Sequence, residues 1–208
     1  MHSFASHPLN SSVEPRKAGR GRYTLALIFL VGVLPLISSY ALYLFWRPEK
    51  FVNYGELIEP VSLAAVVLAE RDGGQFRFAE LRGNWVLLTV DAGACDAYCR
   101  QKLLYMRQLR LAQGKDQDRI ERLWLVSDGL RPPAAVDLEY RGTRTVLLEQ
   151  SGFLARLPAA QSPARHIYIV DPMGNLMMRF PHLADPNRMK KDISRLLRLS
   201  EGWRQIGS

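Results

Sequence analysis

Two cysteines separated by three residues have the clearest chemical potential in this sequence. Cys95 and Cys99 are the chain's two cysteines and follow the strongly apolar run Trp85–Val90. Their thiols can form a reversible disulfide or, as thiolates, bind a soft metal such as Cu(I) or zinc. A closed zinc site needs four ligands, and the spacing matches no zinc finger or ribbon. The pair therefore predicts redox chemistry or capture of a soft ion.

The residues after the pair predict an amphipathic helix that starts at the cysteines. Its apolar positions recur at a spacing of three or four, at Cys99, Leu103, Met106 and Leu109. The N-terminus of a helix favours a thiolate. Two helical residues four apart have Cβ atoms about 5 to 6 Å apart, so a disulfide, which prefers about 3.8 Å, requires the first turn to loosen. An inert structural disulfide is the alternative, although so short a loop removes little chain entropy.

Predicted strands and helices alternate through the rest of the chain. Buried strands are expected at Trp85–Val90, Leu123–Val126 and His166–Val170, with hairpins at 61–78 and 166–180. Helices are expected after the cysteines, at 134–141, and from Pro186 to Leu199 behind the N-cap Asp185. This order predicts an α/β, thioredoxin-like mixed sheet flanked by helices. The cysteine pair would lie at the carboxyl end of a central strand.

One apolar segment precedes this domain. Residues 23–45 contain no charged side chain and are long enough, at about 1.5 Å per residue, to cross the roughly 30 Å of a bilayer core. A signal peptide usually has a shorter apolar stretch of about 7 to 15 residues, so an uncleaved anchor is favoured. The predicted division is a disordered cytoplasmic tail at 1–22, a transmembrane helix at 23–45, a linker at 46–60 and an outer domain at 61–208.

Basic residues predict the orientation and the kind of partner. Four of them precede the apolar segment closely and two follow it: Arg16, Lys17, Arg20 and Arg22, then Arg47 and Lys50. The positive-inside rule therefore keeps the N-terminus in the cytoplasm. The formal net charge of +8 is scattered and comes with no nucleic-acid motif, so a lipid bilayer is expected as a partner and nucleic acid is not.

Three segments resemble the Sco (SenC) family, with the likeness extending from Val61 to about Leu199. They are LRGNWVLL at 81–88, CDAYC at 95–99 and YIVDPMG at 168–174. Members of that family are membrane-anchored thioredoxin-like domains. They bind copper through a C-x3-C pair and a distant histidine, and they help to build the copper centre of cytochrome c oxidase subunit II. The resemblance implies a single-pass protein of the bacterial inner membrane with a periplasmic domain.

The resemblance also implies site residues. It makes Cys95, Cys99 and His166 the candidate ligands for copper, Cu(I) or Cu(II), and the two cysteines the redox-active pair. The match departs from the family pattern where Asp96 and Arg100 replace the prolines that usually follow the cysteines. The place of the family histidine is taken by a proline, and His166 lies three residues later. A hydrogen-bonded core histidine is therefore the alternative for His166.

Three functions remain open at this point. The first is a Sco-like assembly factor that delivers copper to, or reduces thiols of, the oxidase copper centre, with subunit II or another assembly factor as partner. The second is a metal-free periplasmic thiol-disulfide oxidoreductase, in which Cys95 attacks and Cys99 resolves. The third is a non-catalytic scaffold for a membrane complex. Either chemical role is that of a chaperone or reductase rather than a metabolic enzyme.

Overall fold

The computed structural model describes residues 20–45, 53–70, 72–149, 151–159 and 161–202. It divides into two compact units, residues 1–51 and 52–208. Most of the predicted tail and the first part of the predicted linker lie outside the described residues.

The first unit contains one helix, α1, at Arg20–Phe45. Its segment Tyr23–Leu42 is long and apolar enough to cross a membrane, judged by length and composition. Pro35 lies inside the helix, and its carbonyl accepts a 3.0 Å hydrogen bond from the Ser38 hydroxyl. Pro and polar hydroxyls are tolerated in membrane helices because freed backbone groups find such local partners. The structure thus contains a helix of the type predicted at 23–45.

The second unit is a mixed α/β domain. Its strands are β1 (Glu56–Ser62), β2 (Val67–Ala69), β3 (Gln75–Arg77), β4 (Trp85–Asp91), β5 (Ile120–Val126), β6 (Arg144–Leu147), β7 (Ile167–Val170) and β8 (Asn175–Arg179). Its α-helices are α2 (Ala97–Leu111), α3 (Ala134–Glu139) and α4 (Pro186–Leu199). Six strands form one sheet in the order β1-β8-β7-β4-β5-β6, and β2 and β3 form a separate hairpin.

Strand β4 is central, and it positions the cysteines. All seven of its residues are buried, which agrees with a strand that is covered on both faces. It pairs in parallel with β5 and antiparallel with β7. The connection from β4 through α2 to β5 is therefore the crossover that a parallel pair requires. The cysteine loop follows the carboxyl end of β4, as the sequence predicts.

Different elements pack against the two faces of the sheet. On one face, α2 and α4 pack against Trp85 and Leu87 through Met106, Met189 and Ile193. On the other face, the β2–β3 hairpin and short 3₁₀ turns supply a second core around Phe76, Phe78 and Phe153. Val86, Leu88 and Val90 of β4 belong to this second core, as the two-residue period of a strand demands. The predicted mixed sheet with flanking helices is confirmed.

Two edge strands differ from the sequence-based predictions. Strand β1 occupies 56–62 and pairs with β8, so the last residues assigned to the linker belong to the sheet and the folded domain begins before Val61. The predicted hairpin arm 61–68 is divided at Ala64 and Ala65, where the chain turns from β1 into β2. Strand β6 was not predicted, although it pairs in parallel with β5.

Candidate functional site

Cys95 and Cys99 are joined by a disulfide at the start of α2. The S–S distance is 2.01 Å and the Cα atoms are 5.1 Å apart. The helix begins at Ala97, so only Cys99 is helical, and Cys95 lies before the N-cap. The helix predicted to start at the cysteine pair thus starts between the two cysteines. Because Cys95 is in the preceding loop, the pair reaches disulfide separation without loosening the first turn.

The local backbone explains how Cys95 is turned toward Cys99. Cys95 has a φ of 47°, in the left-handed region that non-glycine residues seldom adopt. Its amide donates to the carbonyl of Ala92 at 3.1 Å, and its carbonyl accepts from Nε of Arg100 at 3.4 Å. The N-cap Asp96 accepts a 2.8 Å hydrogen bond from the amide of Cys99. Hydrogen bonds thus fix the backbone at both cysteines of the disulfide.

Both sulfur-bearing residues are buried. Cys95 is 3% exposed and Cys99 is 1% exposed, so exposure barely distinguishes the two. They pack in one cluster with Leu103, Trp124 and Tyr140, among other residues. An exchange partner must therefore reach the disulfide through a local opening of the loop, and Cys95 lies on the segment outside the helix that such an opening would move first.

A buried ion pair adjoins the cysteine loop and was missed by sequence reasoning. Nζ of Lys102 lies 2.8 Å from Oδ2 of Asp91, and both side chains are almost fully buried. Oγ1 of Thr89 donates to the same carboxylate oxygen at 2.9 Å. Nζ of Lys102 also donates to the carbonyls of Val90 and Ala164. Asp91 is therefore a buried, paired carboxylate at the end of β4.

Burial controls the titration of this pair. It raises the pKa of Asp91, an effect that the Lys102 charge and the hydrogen bonds to Lys102 and Thr89 oppose. It lowers the pKa of Lys102, again against the attraction of Asp91. The signal in the sequence was a lysine within the apolar stripe of α2, three residues after Cys99.

A shallow groove runs along the exposed side of α2 next to the cysteines. Its volume is about 630 Å³, and it is lined by residues of α2 together with Tyr140, His182 and Leu183. The hydroxyl of Tyr98 donates to the carbonyl of Arg165 at 3.0 Å and accepts from the amide of Leu183 at 3.2 Å. The ring of His182 packs edge-on against Tyr98 at 4.5 Å. Tyr98 thereby ties α2 to two loops beside the cysteine pair.

His166, the predicted third ligand, is half-buried immediately before β7. Its Nδ1 lies 2.8 Å from the carbonyl oxygen of Phe180, and its ring packs against Tyr168 at 5.8 Å. Within the described ranges, no group of three or more His, Cys, Asp or Glu residues is arranged to hold a metal ion. The donor set as folded, with both sulfurs in a disulfide, does not fit a three-ligand copper site. The role of His166 as a ligand stays a prediction.

Comparisons with known proteins agree on the fold. Residues 85–200 match the family model described as "Transmembrane-like, thioredoxin-like, C-terminal domain". A search of curated protein sequences gave no match. Among solved structures, copper-bound yeast Sco1 has a TM-score of 0.51 at 17% identity, covering 67% of this chain and 91% of that one.

Two bacterial structures are similar to the same degree. A SCO1/SenC family lipoprotein from Bacillus anthracis has a TM-score of 0.50 at 13% identity, over 68% of this chain and 99% of that one. A putative electron transfer protein from Aquifex aeolicus has a TM-score of 0.50 at 16% identity, over 68% and 97% of the two chains. At such identities the likeness concerns the fold, and the Sco-like, thioredoxin-like architecture predicted from the sequence is confirmed.

Proposed function

We propose that this chain is a membrane-anchored thiol-disulfide oxidoreductase. The premise is that it belongs to the family described as "Transmembrane-like, thioredoxin-like, C-terminal domain". The observation that carries the proposal is the Cys95–Cys99 disulfide between the end of a central strand and the N-terminus of α2. A disulfide that closes so short a loop contributes little to stability through chain entropy. Its position at a helix N-terminus instead favours ionisation of a freed thiol.

The exchange would proceed through Cys95. A thiolate of the substrate attacks Sγ of Cys95, a new S–S bond forms, and the Cys95–Cys99 bond breaks with its electron pair going to Sγ of Cys99. A second substrate thiolate then displaces Cys95, which leaves an oxidised substrate and a reduced pair. The reverse sequence reduces a substrate disulfide. Cys99 suits the role of leaving and resolving group because its thiolate lies in the first turn of α2.

The anchor would hold this chemistry at a membrane surface. Helix α1 is of a length and composition that cross a bilayer, and the basic residues before it favour a cytoplasmic N-terminus. The domain would then lie on the outer side of a bacterial inner membrane, in the periplasm. That compartment is oxidising, which allows a disulfide to persist and turn over.

Trapping of a mixed disulfide tests this function. The Cys99→Ala variant of the full chain keeps Cys95 but lacks the resolving thiol. When the reduced variant is mixed with a disulfide-bonded peptide, the Cys95 thiolate should attack one peptide sulfur, displace the other as a thiolate and remain in a covalent adduct. The matched Cys95→Ala variant should give much less adduct because Cys99 is held within α2, whereas Cys95 lies on the loop before the helix. Equal trapping by the two variants would contradict the assigned order of attack. No adduct with either variant would contradict the exchange function.

Copper handling is a second candidate, supported by the separation of the two cysteines. With Cα atoms 5.1 Å apart, the reduced sulfurs could approach one Cu(I) ion, whose thiolate bonds are about 2.3 Å long on the scale of zinc–sulfur bonds. The fold is shared with copper-bound yeast Sco1. In this role the chain would carry copper as cargo to cytochrome c oxidase subunit II. It could instead exchange thiols with that subunit or with another assembly factor.

Copper titration of the reduced full chain separates the two candidates. Binding of one Cu(I), lost in Cys95→Ala and in Cys99→Ala, supports copper handling, whereas absence of binding leaves thiol exchange alone. His166→Ala tests the predicted third ligand in the same titration. A scaffold without chemistry would be indicated if a Cys95→Ala/Cys99→Ala chain fully complemented a deletion strain.

A further inference from the structure

Helix α4 carries basic side chains on its solvent-facing side. Arg188, Lys190, Lys191 and Arg198 are all exposed, and together they are called the basic face below. On a helix with 3.6 residues per turn, Arg188, Lys191 and Arg198 fall within a sector of about 80°, and Lys190 borders it. The other side of α4 packs against the sheet. The helix therefore presents its positive charges together on the side that points away from the core.

The basic face has little negative charge around it. None of its four residues forms an ion pair within the described part of the chain. The acidic residue inside α4, Asp192, is 4% exposed, and its Oδ2 accepts hydrogen bonds from the amides of Tyr54 and Gly55 at 2.7 and 2.8 Å. Asp185 and Glu201 lie at the two ends of the helix, where the Asp185 carboxylate caps the first turn. The charges of the basic face thus remain available to a negatively charged partner.

The first described residues of the domain lie against α4. The Arg188 guanidinium packs over the ring of Tyr54 at 4.1 Å, and the Tyr54 hydroxyl accepts from the amide of Asp185 at 3.0 Å. Nη1 of Arg195 donates to Oδ1 of Asn53 at 3.3 Å. The chain therefore enters the domain directly beside the basic face.

The length of the chain before this point limits how far the basic face can be from the anchor. Helix α1 ends at Phe45, and eight Cα–Cα steps lead from there to Asn53. A fully extended chain covers at most about 3.6 Å per step, which gives a reach of about 29 Å. With α1 across a bilayer, this tether keeps the entry point of the domain, and Arg188 beside it, within reach of the lipid headgroups.

We propose that the basic face of α4 docks the domain on anionic lipid headgroups. Each Lys or Arg near a negatively charged membrane surface adds a favourable interaction, and both side chains donate hydrogen bonds to phosphate oxygens. Leu199 is 75% exposed next to Arg198 and would add an apolar contact. Lipid is favoured over an acidic protein because the tether keeps headgroups nearby at all times. The inference rests on the anchor in the proposed function and not on the disulfide exchange.

Lysine acetylation of the full chain in nanodiscs tests the docking. One set of discs contains phosphatidylcholine alone, and the other contains about 30% phosphatidylglycerol as anionic lipid. Peptide mass spectrometry after brief treatment with an N-hydroxysuccinimide ester gives the rates at Lys190, Lys191 and the exposed control Lys115. Relative to Lys115, the rates at Lys190 and Lys191 should fall about threefold or more in the anionic discs. They should recover in about 0.5 M KCl, because salt screens the attraction.

Two matched variants show whether the basic face causes this protection. Arg188→Gln/Arg198→Gln removes two charges from the basic face, and Arg131→Gln/Arg156→Gln removes two exposed charges elsewhere in the domain. The two variants have the same net charge. In the anionic discs, the first should lose about half or more of the protection at Lys191, whereas the second should keep it.

Each outcome decides for or against the docking. Protection of Lys190 and Lys191 that requires anionic lipid and is weakened in Arg188→Gln/Arg198→Gln supports it. Equal relative rates in the two kinds of disc, or equal protection in the two variants, overturns it. Protection in native membrane vesicles but not in anionic discs would assign the basic face to an acidic protein and overturn the lipid proposal. A chain that does not co-purify with discs would overturn the anchor as well, whereas Cys95 trapping tests thiol exchange separately.

Discussion

Lys102 and Asp91 bring two opposite charges to within 2.8 Å of each other at the point where β4 gives way to the cysteine loop. Asp91 ends the strand four residues before Cys95, and Lys102 lies one helical turn after Cys99. The pair therefore joins the two segments that carry the sulfurs. Removing water from two charges is costly, and the remaining hydrogen bonds from Thr89 and to the carbonyls of Val90 and Ala164 reduce that cost.

Breaking this ion pair on one side is expected to destabilise the fold strongly. Lys102→Met leaves the Asp91 carboxylate buried with the Thr89 hydroxyl, and should lower the free energy of unfolding by about 3 kcal/mol. The double variant Asp91→Asn/Lys102→Met should recover at least half of that loss. Urea unfolding of the full chain in detergent measures both.

A surface pair provides the control. Arg144→Met breaks an ion pair with Glu80 in which both side chains are about 40% exposed, and should cost at most about 1 kcal/mol. A cost for Lys102→Met no larger than that of Arg144→Met would contradict a structural role of the buried pair.

His166 should make stability depend on pH. Burial lowers its pKa below the ordinary 6.5, although the hydrogen bond with the Phe180 carbonyl opposes this shift. The unfolded chain then binds more protons than the folded chain as the pH falls below about 6.5, so the free energy of unfolding decreases through that window. His166→Gln should show a smaller decrease in urea unfolding at successive pH values. His182→Gln, at an exposed histidine, is the control, and a slope in His166→Gln equal to that of wild type would contradict the assignment.

Helices α2 and α4 both begin at an aspartate N-cap but have different neighbours. Asp96 caps α2 by accepting from the amide of Cys99, and Asp185 caps α4 by accepting from the amide of Asn187. The two helices pack on the same face of the sheet. One cap therefore contacts a residue of the Cys95–Cys99 disulfide and the other does not.

Removing each cap should separate stability from reactivity. Asp96→Ala and Asp185→Ala should each lower the free energy of unfolding by about 1 kcal/mol, because one helix amide loses its acceptor. Only Asp96→Ala removes a negative charge beside Cys99, so only this variant should speed alkylation of the reduced thiols by iodoacetamide at neutral pH. Equal alkylation rates in the two variants would show that Asp96 does not tune the pair.

Elements with strong sequence patterns were predicted correctly, and edge elements were not. Strand β4 is an unbroken apolar run, and α4 has an Asp-Pro start with a clear apolar face, so local sequence determines both. Strand β1 is an edge strand whose exposed positions and Pro60 give no two-residue period. Strand β6 has only four residues and depends on pairing with β5.

The cysteine site was predicted in part for a similar reason. Residue types and spacing revealed the pair and its place at a strand–helix junction. The positive φ of Cys95, by contrast, arises from the loop conformation, which residue types do not encode. The Asp91–Lys102 contact depends on how α2 packs over the end of β4, so it became visible only in three dimensions.

The chain combines an apolar helix with a thioredoxin-like domain. The apolar segment of α1 covers 20 residues and contains no buried residue, as expected of a helix that would contact lipid. The family to which the chain belongs is described as transmembrane-like. Anchoring would raise the local concentration of the domain near membrane-bound thiols.

Membrane retention should depend on α1. The full chain is expected to remain in the membrane pellet after a carbonate wash and to dissolve in detergent, whereas a chain that begins at residue 53 should be found in the soluble fraction. N-terminal sequencing of the pelleted protein should return residues that precede α1. A mature protein that starts after α1 would show that the helix is a cleaved signal sequence.

The reduction potential of the Cys95–Cys99 pair tests the central claim most directly. The full chain is equilibrated in glutathione redox buffers, and the oxidised and reduced fractions are quantified after acid quenching and alkylation. A pair that exchanges electrons with protein thiols should have a potential between about −270 and −120 mV, the range of thiol-disulfide oxidoreductases. A potential below about −300 mV, typical of structural disulfides in secreted proteins, would contradict the proposed function.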